Sequence, residues 1–526
     1  MTFEAPPFRR VLIANRGEIA VRIIRACREM GMGAVAVYSD SDSEAAHVRL
    51  ADAAVRLGPP APEESYLRID AVVAAAIATG CQAVHPGYGF LAERASFARA
   101  VEDAGLVFVG PSSEAIEALG DKLHARRLAA KIGVPSVPGT LEPAPVDHPD
   151  MAADIVATAT RIGFPLLVKA AAGGGGRGMR RVTRPEDLPA ALVSGSREAL
   201  SAFGDGSVYL EREILPARHI EVQLLGDAQG HVVALGERDC SLQRRHQKLV
   251  EEAPAPGLTE TQRRHLHGLA IRLGEAARLR NAATCEFLYD PDGNFWFLEV
   301  NTRLQVEHGV TELVAGVDIV RAQFEIAGGV PLSAGVIAAG ERAANPSSHA
   351  IEVRIAAEDP SRAFAPTPGR VGRWVMASGP GVRVDTAIEV GDRVPPDYDN
   401  LIAKLMVHAH DRDAAIERLA RALDETEIGG VQTTLPFHRA VAASDSFRRA
   451  ELSTGWVDRN WDGTAARADA VRRALLAAGL AAMEEGSGGQ VRAAGNAVPP
   501  SPAADPGGDR AWRRVARAQG VDRWPI

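Results

Sequence analysis

The stretch FWFLEVNTRLQVEHG, residues 295–309, starts like a core strand and then changes character. Four apolar residues come first. Glu299, Asn301, Arg303, Gln305 and Glu307 then occupy every second position. Side chains alternate along a strand, so this spacing lines one face with acids, amides and a base. Immediately upstream, TCEFLYD and NFWFLEVN flank Pro291-Asp292-Gly293, a strong hairpin signal. A two-residue turn at Asp292-Gly293 sets Glu286 directly opposite Glu299, on the face shared with Asn301 and Arg303. A type I turn at Pro291 with Gly293 in a bulge shifts the register by one and breaks that pairing unless the bulge restores it. Like charges directly opposite destabilise a hairpin, so the pairing calls for a cation between them. A divalent ion such as magnesium, which takes oxygen ligands, is the natural candidate. The competing reading, a solvated strand face, fits poorly with the FWFL run that leads into it.

Three further stretches carry chemistry. In LLVKAAAGGGGRGM (166–179), Lys169 ends an apolar strand and glycines follow at once, as a backbone cradle for polyphosphate requires. The Gly-Lys-Ser/Thr ending of a Walker A loop is absent. In ERDCSLQRRHQKLVEEAPAP (237–256), Gln243, Arg244, Arg245, His246, Gln247 and Lys248 run together; alone, such a run reads equally well as a solvated basic loop. Lys122 opens a helix in LGDKLHARRLAA. His85 and Tyr88, in HPGYGF, read as packing residues.

Residues 9–120 alternate short apolar strands with helical patterns, a βαβ series that predicts a parallel sheet. No GxGxxG follows the first strand, so dinucleotide binding is not expected. Residues 141–212 form a smaller α/β unit, and 213 to about 460 are strand-rich. Beyond 461 come an Ala/Arg helix (464–484), a Gly/Ser/Pro-rich linker (486–508) and a segment with Trp512 and Trp524.

Composition sets outer bounds. The 526 residues suffice for two to four domains. A net charge of −8 gives no general affinity for nucleic acid or anionic membrane. No apolar run approaches the roughly 20 residues of a bilayer span, and the N-terminus lacks a signal-peptide core. The four cysteines (Cys27, Cys81, Cys240, Cys285) have no metal-site spacing, so reduced thiols and a cytoplasmic location are expected. Lys and Arg total 59, yet only Lys122, Lys131, Lys169, Lys248 and Lys404 are lysines. Codon bias accounts for most of this, but a lysine that survives it can mark a place where a point charge serves better than a rigid fork.

In this order, IANRGEIAVRIIRAC, HPGYGFLAE, GDK, VKAAAGGGGRGM, ERDCSLQRRHQKLVEEAPAP, EFLYD with FLEVNTRLQVEHGVTE, and IEVRIAAEDP resemble biotin carboxylase, an ATP-grasp enzyme. The likeness runs from about residue 9 to about 445. It implies an α/β (overall α+β) chain: a Rossmann-like N-terminal domain (1–121), an ATP-grasp domain (122–335) with a mobile lid (141–212), a C-terminal biotin carboxylase domain (336–460) and a tail (461–526). It implies that Lys122, Lys169 and the loop Gly173, Gly174, Gly175, Gly176, Arg177 and Gly178 hold the ATP phosphates. Glu211 and Arg212 would line the adenine and ribose pocket, with His219, Gln243 and His246 nearby. Glu286, Glu299 and Asn301 would hold magnesium or manganese, and Lys248 and Arg303 bicarbonate. Glu307 would be the general base, and Arg354 would stabilise the enolate-like oxygen of biotin.

The final carboxyl acceptor stays open. Val300 and Gly309 stand where acetyl- and propionyl-CoA carboxylases tend to have Met and Pro, and resemble urea carboxylase there. No lysine follows Lys404, so biotin is expected as a substrate on a separate carrier protein, with a separate carboxyltransferase. A homodimer is the family's expectation. The tail, which lies outside the resemblance, reads equally as a loosely ordered extension or as a dock for one of these partners, an idea that unchanged partner affinity after deletion of 485–526 would remove. The alternatives are another carboxylate-activating ATP-grasp ligase and a silent ATP-binding protein.

Overall fold

The computed structural model describes residues 7–146, 152–171 and 179–488. The Gly173–Gly178 loop with Arg177, most of the 486–508 linker, and Trp512 and Trp524 lie outside the described residues.

The N-terminal unit forms as the alternation predicts. Helix Gly17–Glu29 buries Ile19, Ala20, Ile23, Ile24 and Cys27 at helical spacing, and the chain turns at Gly31, φ +72°. Five parallel strands assemble in the order Ala53–Gly58, Gly33–Ser39, Arg10–Ile13, Ala83–His85, Val107–Phe108. Sequence reading missed the first of these, because only its last two residues are buried and its pattern is weak. The order reverses between Arg10–Ile13 and Ala83–His85, the kind of point where a doubly wound sheet opens a crevice. There Asn15 Nδ2 donates to the Pro86 and Tyr88 carbonyls at 2.7 Å each and clamps the HPGYG loop. His85 is fully buried, with its pKa pushed down to about 3 by burial, which fits a packing role. All four cysteines are buried and free.

The 141–212 unit is a three-stranded sheet, Arg180–Val182, Leu166–Ala170 and Val208–Arg212, covered by helices Ala152–Ile162 and Leu188–Phe203. The largest element is an eight-stranded antiparallel sheet. Its order is Phe295–Asn301, Asn281–Tyr289, Arg218–Gly226, Val232–Arg244, Gln247–Ala253, His349–Ala356, Leu401–Ala409, Val382–Thr386. It runs through the expected boundary at 335/336, since Gln247–Ala253 pairs directly with His349–Ala356. One core under it packs Val222, Leu224, Cys285, Phe287 and Phe297 against Leu266, Leu269 and Leu273 of helix Glu260–Ala276, which starts with a Thr259/Gln262 capping box. A second packs Ile351, Val353, Leu405 and Val407 with helix Arg412–Glu425.

The hairpin shows both features weighed from sequence. The Pro291 turn forms: the Gly293 N–H donates to the Asp290 carbonyl at 3.1 Å, with Gly293 at φ +87°. Phe297 therefore pairs with Phe287. Leu298 is then bulged out, and Glu299 pairs with Glu286 after all. Without that bulge, Glu299 would follow Phe295 and Phe297 into the core.

Helix Gly463–Gly488 extends from the C-terminal unit with Val471, Leu475, Leu476 and Leu480 exposed. Among the described residues no helix is long and apolar enough to cross a membrane.

Candidate active site

Register builds the site. Glu299 faces Glu286, Glu286 faces Glu221, and Glu221 faces Arg238, one charged row across four strands. Three carboxylates at cross-strand spacing repel, and cations set between them offset the repulsion. Lys248 Nζ donates to Glu286 at 3.0 Å and to Glu307 at 2.7 Å, and also pairs with Glu221. Arg238, fully buried, donates to Glu221 and, at 2.9 Å each, to Gln223 and Thr311. His219 Nε2 lies 3.0 Å from the second Glu286 oxygen, and Lys122 Nζ lies 2.8 Å from Glu299.

Burial alone would push these acids up. Instead Lys248 and His219 hold the Glu286 carboxyl well below the usual carboxylate range. Lys248, Arg354 and Arg238 do the same for Glu307, again against burial. Burial disfavours the Lys248 ammonium, but Glu221, Glu286 and Glu307 more than offset this and raise its pKa.

Glu307 sits at the N-cap of helix His308–Ala315 with no exposed surface. Its second oxygen accepts from Arg354 Nη2 at 3.0 Å, and Arg354 Nε donates to Glu251 at 2.6 Å. Arg303, on the loop before this helix, donates to Asn301 at 3.1 Å and pairs with Glu93 at 2.9 Å. Asn301 and Gln305 in turn donate to Glu286 at 2.9 and 3.2 Å. Lys248, His219, Glu286, Asn301, Arg303, Glu307 and Arg354 are thus one connected network, while Lys122 and Glu299 form its edge.

A second charged group centres on Glu211, at the end of the 141–212 unit. Lys169 forms an ion pair with Glu211, and Arg126 Nη1 donates to the other Glu211 oxygen at 2.9 Å. Arg212 is exposed and its N–H is taken by the Pro138 carbonyl at 2.7 Å. Gln243 is buried in the strand beside Lys248. Its hairpin turns at Arg245 (φ +49°) and His246 (φ +67°), a two-residue turn with both residues left-handed, normally the place of Asn and Gly. His246 has its pKa lowered by burial and by Lys169, His219 and Lys122, so the tip reaches both cationic groups.

A magnesium or manganese ion fits Glu286 and Glu299. Their oxygens come from directly opposite positions, with the Asn301 amide two residues along and no sulfur among them. Sequence reading missed Glu221, Arg238 and Glu251. A signal existed for Glu221: His219, Glu221 and Gln223 alternate with Ile220, Val222 and Leu224, as on a strand with one polar face. Arg238 and Glu251 sit inside runs already rich in charge, where no local pattern separates them.

Three family models match the chain: the biotin carboxylase N-terminal domain over residues 7–116, the carbamoyl-phosphate synthase L chain ATP-binding domain over 121–335, and the biotin carboxylase C-terminal domain over 352–459. The chain is 47% identical to the alpha3 subunit of a biotin-dependent acyl-coenzyme A carboxylase of Mycobacterium leprae, over 86% of this chain and 75% of that one. It is 45% identical to a biotin carboxylase of Pseudomonas aeruginosa, over 86% and 98%. The crystal structure of a biotin carboxylase–β,γ-ATP complex from Campylobacter jejuni superposes with a TM-score of 0.82 at 42% identity, covering 87% of this chain and 99% of that one. A biotin carboxylase domain dimer of Hydrogenobacter thermophilus 2-oxoglutarate carboxylase, with MgADP, ADP and bicarbonate, gives a TM-score of 0.81 at 42% identity, over 86% and 97%. With all three models matching in their proper order, the chain belongs to the biotin carboxylase family.

Proposed function

We propose that the chain is the biotin carboxylase component of a biotin-dependent carboxylase, an ATP-dependent ligase that carboxylates biotin with bicarbonate. The observation that carries this is the Lys248–Glu307–Arg354 triangle, set at the end of the acid row. It places one carboxylate between two cations suited to anionic substrates. Lys169, Lys122 and the Gly173–Gly178 loop would hold the ATP phosphates. A magnesium ion on Glu286 and Glu299 would neutralise phosphate charge.

Lys248 and Arg303 would receive bicarbonate, Arg303 with its planar fork. In the arrangement described above, Glu307 is fully ionised, which makes it a ready acceptor but a weak base. A bicarbonate that drew Lys248 towards itself would add a negative charge beside Glu307 and weaken the cation holding it down. Both changes raise its proton affinity towards the range a general base needs. Glu307 would then take the bicarbonate proton as its oxygen attacks the γ-phosphoryl group, and carboxyphosphate forms with release of ADP. Arg354 would stabilise the oxyanion that develops on the biotin ureido group. Lid closure would keep water from carboxyphosphate.

The biotinyl-lysine would be presented by a carrier protein, which passes the carboxyl group to a separate carboxyltransferase. Two copies of the chain would form the working homodimer. The test is ADP release with Mg-ATP and bicarbonate, with and without biotin. Biotin-stimulated release that falls by at least ~100-fold in Glu307→Gln, with ATP binding retained, supports the proposal. ATP binding without stimulation by free biotin or by any carrier protein refutes it.

A further inference from the structure

Of the five lysines, Lys404 has no role so far, yet it is buried more deeply than the other four. It lies mid-strand in Leu401–Ala409 with none of its surface exposed. A buried ammonium costs several kcal/mol unless its partners are well placed. Lys404 Nζ donates to the Val306 carbonyl at 2.8 Å and lies 3.3 Å from Glu18 and 3.7 Å from Asp385. Burial works against its charge, and Glu18, Glu352 and Asp385 more than restore it.

These partners come from three parts of the chain. Glu18 is on the first helix of the parallel-sheet unit and also accepts from the Tyr88 hydroxyl. Asp385 faces Lys404 across the end of the large sheet. Val306 lies on the loop between strand Phe295–Asn301 and helix His308–Ala315. That loop holds Arg303 and Glu307, and has no ladder of its own to fix it. The Val306 carbonyl belongs to the peptide unit that carries the Glu307 N–H, so holding it sets where Glu307 starts.

Resting on the function proposed above, we propose that Lys404 is a positioning residue for carboxylation. Its ammonium ties the Arg303–Glu307 loop to both the N-terminal helix and the C-terminal sheet, so the base is in place only when all three parts are assembled. A lysine suits this place: its compact ammonium reaches the Val306 carbonyl, Glu18 and Asp385 at once, from three different directions of the chain.

The test compares Lys404→Met, Lys404→Met/Glu18→Gln and Lys404→Arg with the wild-type chain. The double variant removes the carboxylate nearest the lost ammonium and guards against simple misfolding. In a folded variant, kcat for bicarbonate- and biotin-dependent ADP release should fall roughly 100-fold, as for a catalytic group shifted by about 1 Å. KM for ATP should stay within about twofold, since uniform binding is untouched. Lys404→Arg, which keeps the charge but not the geometry, should fail to restore kcat. Amide exchange over residues 303–308 should rise roughly tenfold, about one lost hydrogen bond. A folded Lys404→Met variant with wild-type kcat, full recovery in Lys404→Arg, or unchanged exchange in the loop would overturn the proposal. If the wild-type chain shows no biotin-dependent turnover, the functional reading falls, and the exchange measurement still decides the role of Lys404.

Discussion

Lys248→Met tests the electrostatic reading most directly. The ammonium bonds three buried carboxylates, Glu221, Glu286 and Glu307. Stripping one partner from a buried ion pair ordinarily costs about 3–5 kcal/mol. Here each acid keeps a second partner: the Arg238 guanidinium for Glu221, the His219 imidazole for Glu286 and the Arg354 guanidinium for Glu307. The loss should therefore sit near the lower end, about 3 kcal/mol at pH 7.5. It should also depend on pH. In the wild-type chain Glu286 and Glu307 are depressed, so their stabilisation is present above the unfolded carboxylate pKa and is lost only as pH falls into the acid range. Without Lys248, burial dominates and raises at least one of them. The folded variant then binds a proton that the unfolded chain does not, and its stability falls as pH rises, by about 1.4 kcal/mol per unit for one proton. The deficit relative to wild type should shrink from about 3 kcal/mol at pH 7.5 to under about 1 at pH 5.5. Thermal and urea unfolding of the ligand-free proteins across pH 5–8 measure it. A deficit that does not change with pH would refute the reasoning.

Other expectations follow from single features. Glu18 and Glu251 are pushed up to about 7, chiefly by burial, so the stability they contribute is present at low pH and lost as pH rises through about 7. Wild-type Tm should fall as pH rises from about 5 to about 7 and level off above, and Glu18→Gln or Glu251→Gln should flatten that fall; parallel curves would count against it. His246→Gly should relieve left-handed strain of order 1 kcal/mol and hold or raise the ligand-free Tm, while KM for ATP rises. An unchanged KM would detach His246 from the nucleotide. A Cβ at Gly309 would run into Met406 Sδ, so Gly309→Ala should cost about 1–3 kcal/mol, most of it recovered when Met406 is shortened to Val. No recovery in the double variant would place the cost elsewhere.

What the sequence determined by itself was local. A turn signal and a period of two were enough to fold 281–301 into a hairpin and to put Glu286 and Glu299 forward as a pair, because a hairpin closes within a few residues. The amphipathic helix Gly17–Glu29 and the parallel strands were legible for the same reason: burial on one face leaves a period. The resemblance extended this to Lys122, Lys169, Lys248, Arg303, Glu307 and Arg354, which belong to separate segments. Tertiary structure alone decided the rest. The Leu298 bulge that keeps Glu299 out of the core arises from pairing Phe297 with Phe287, and no residue at 298 announces it. Glu221 and Arg238 complete the charged row only because strands Arg218–Gly226 and Val232–Arg244 are its neighbours in register. Lys404 looks like any strand lysine until three distant segments close around its ammonium. Charge spacing within a strand is encoded along the chain; which charges finally neutralise one another depends on strand order, and that is fixed when the sheet assembles.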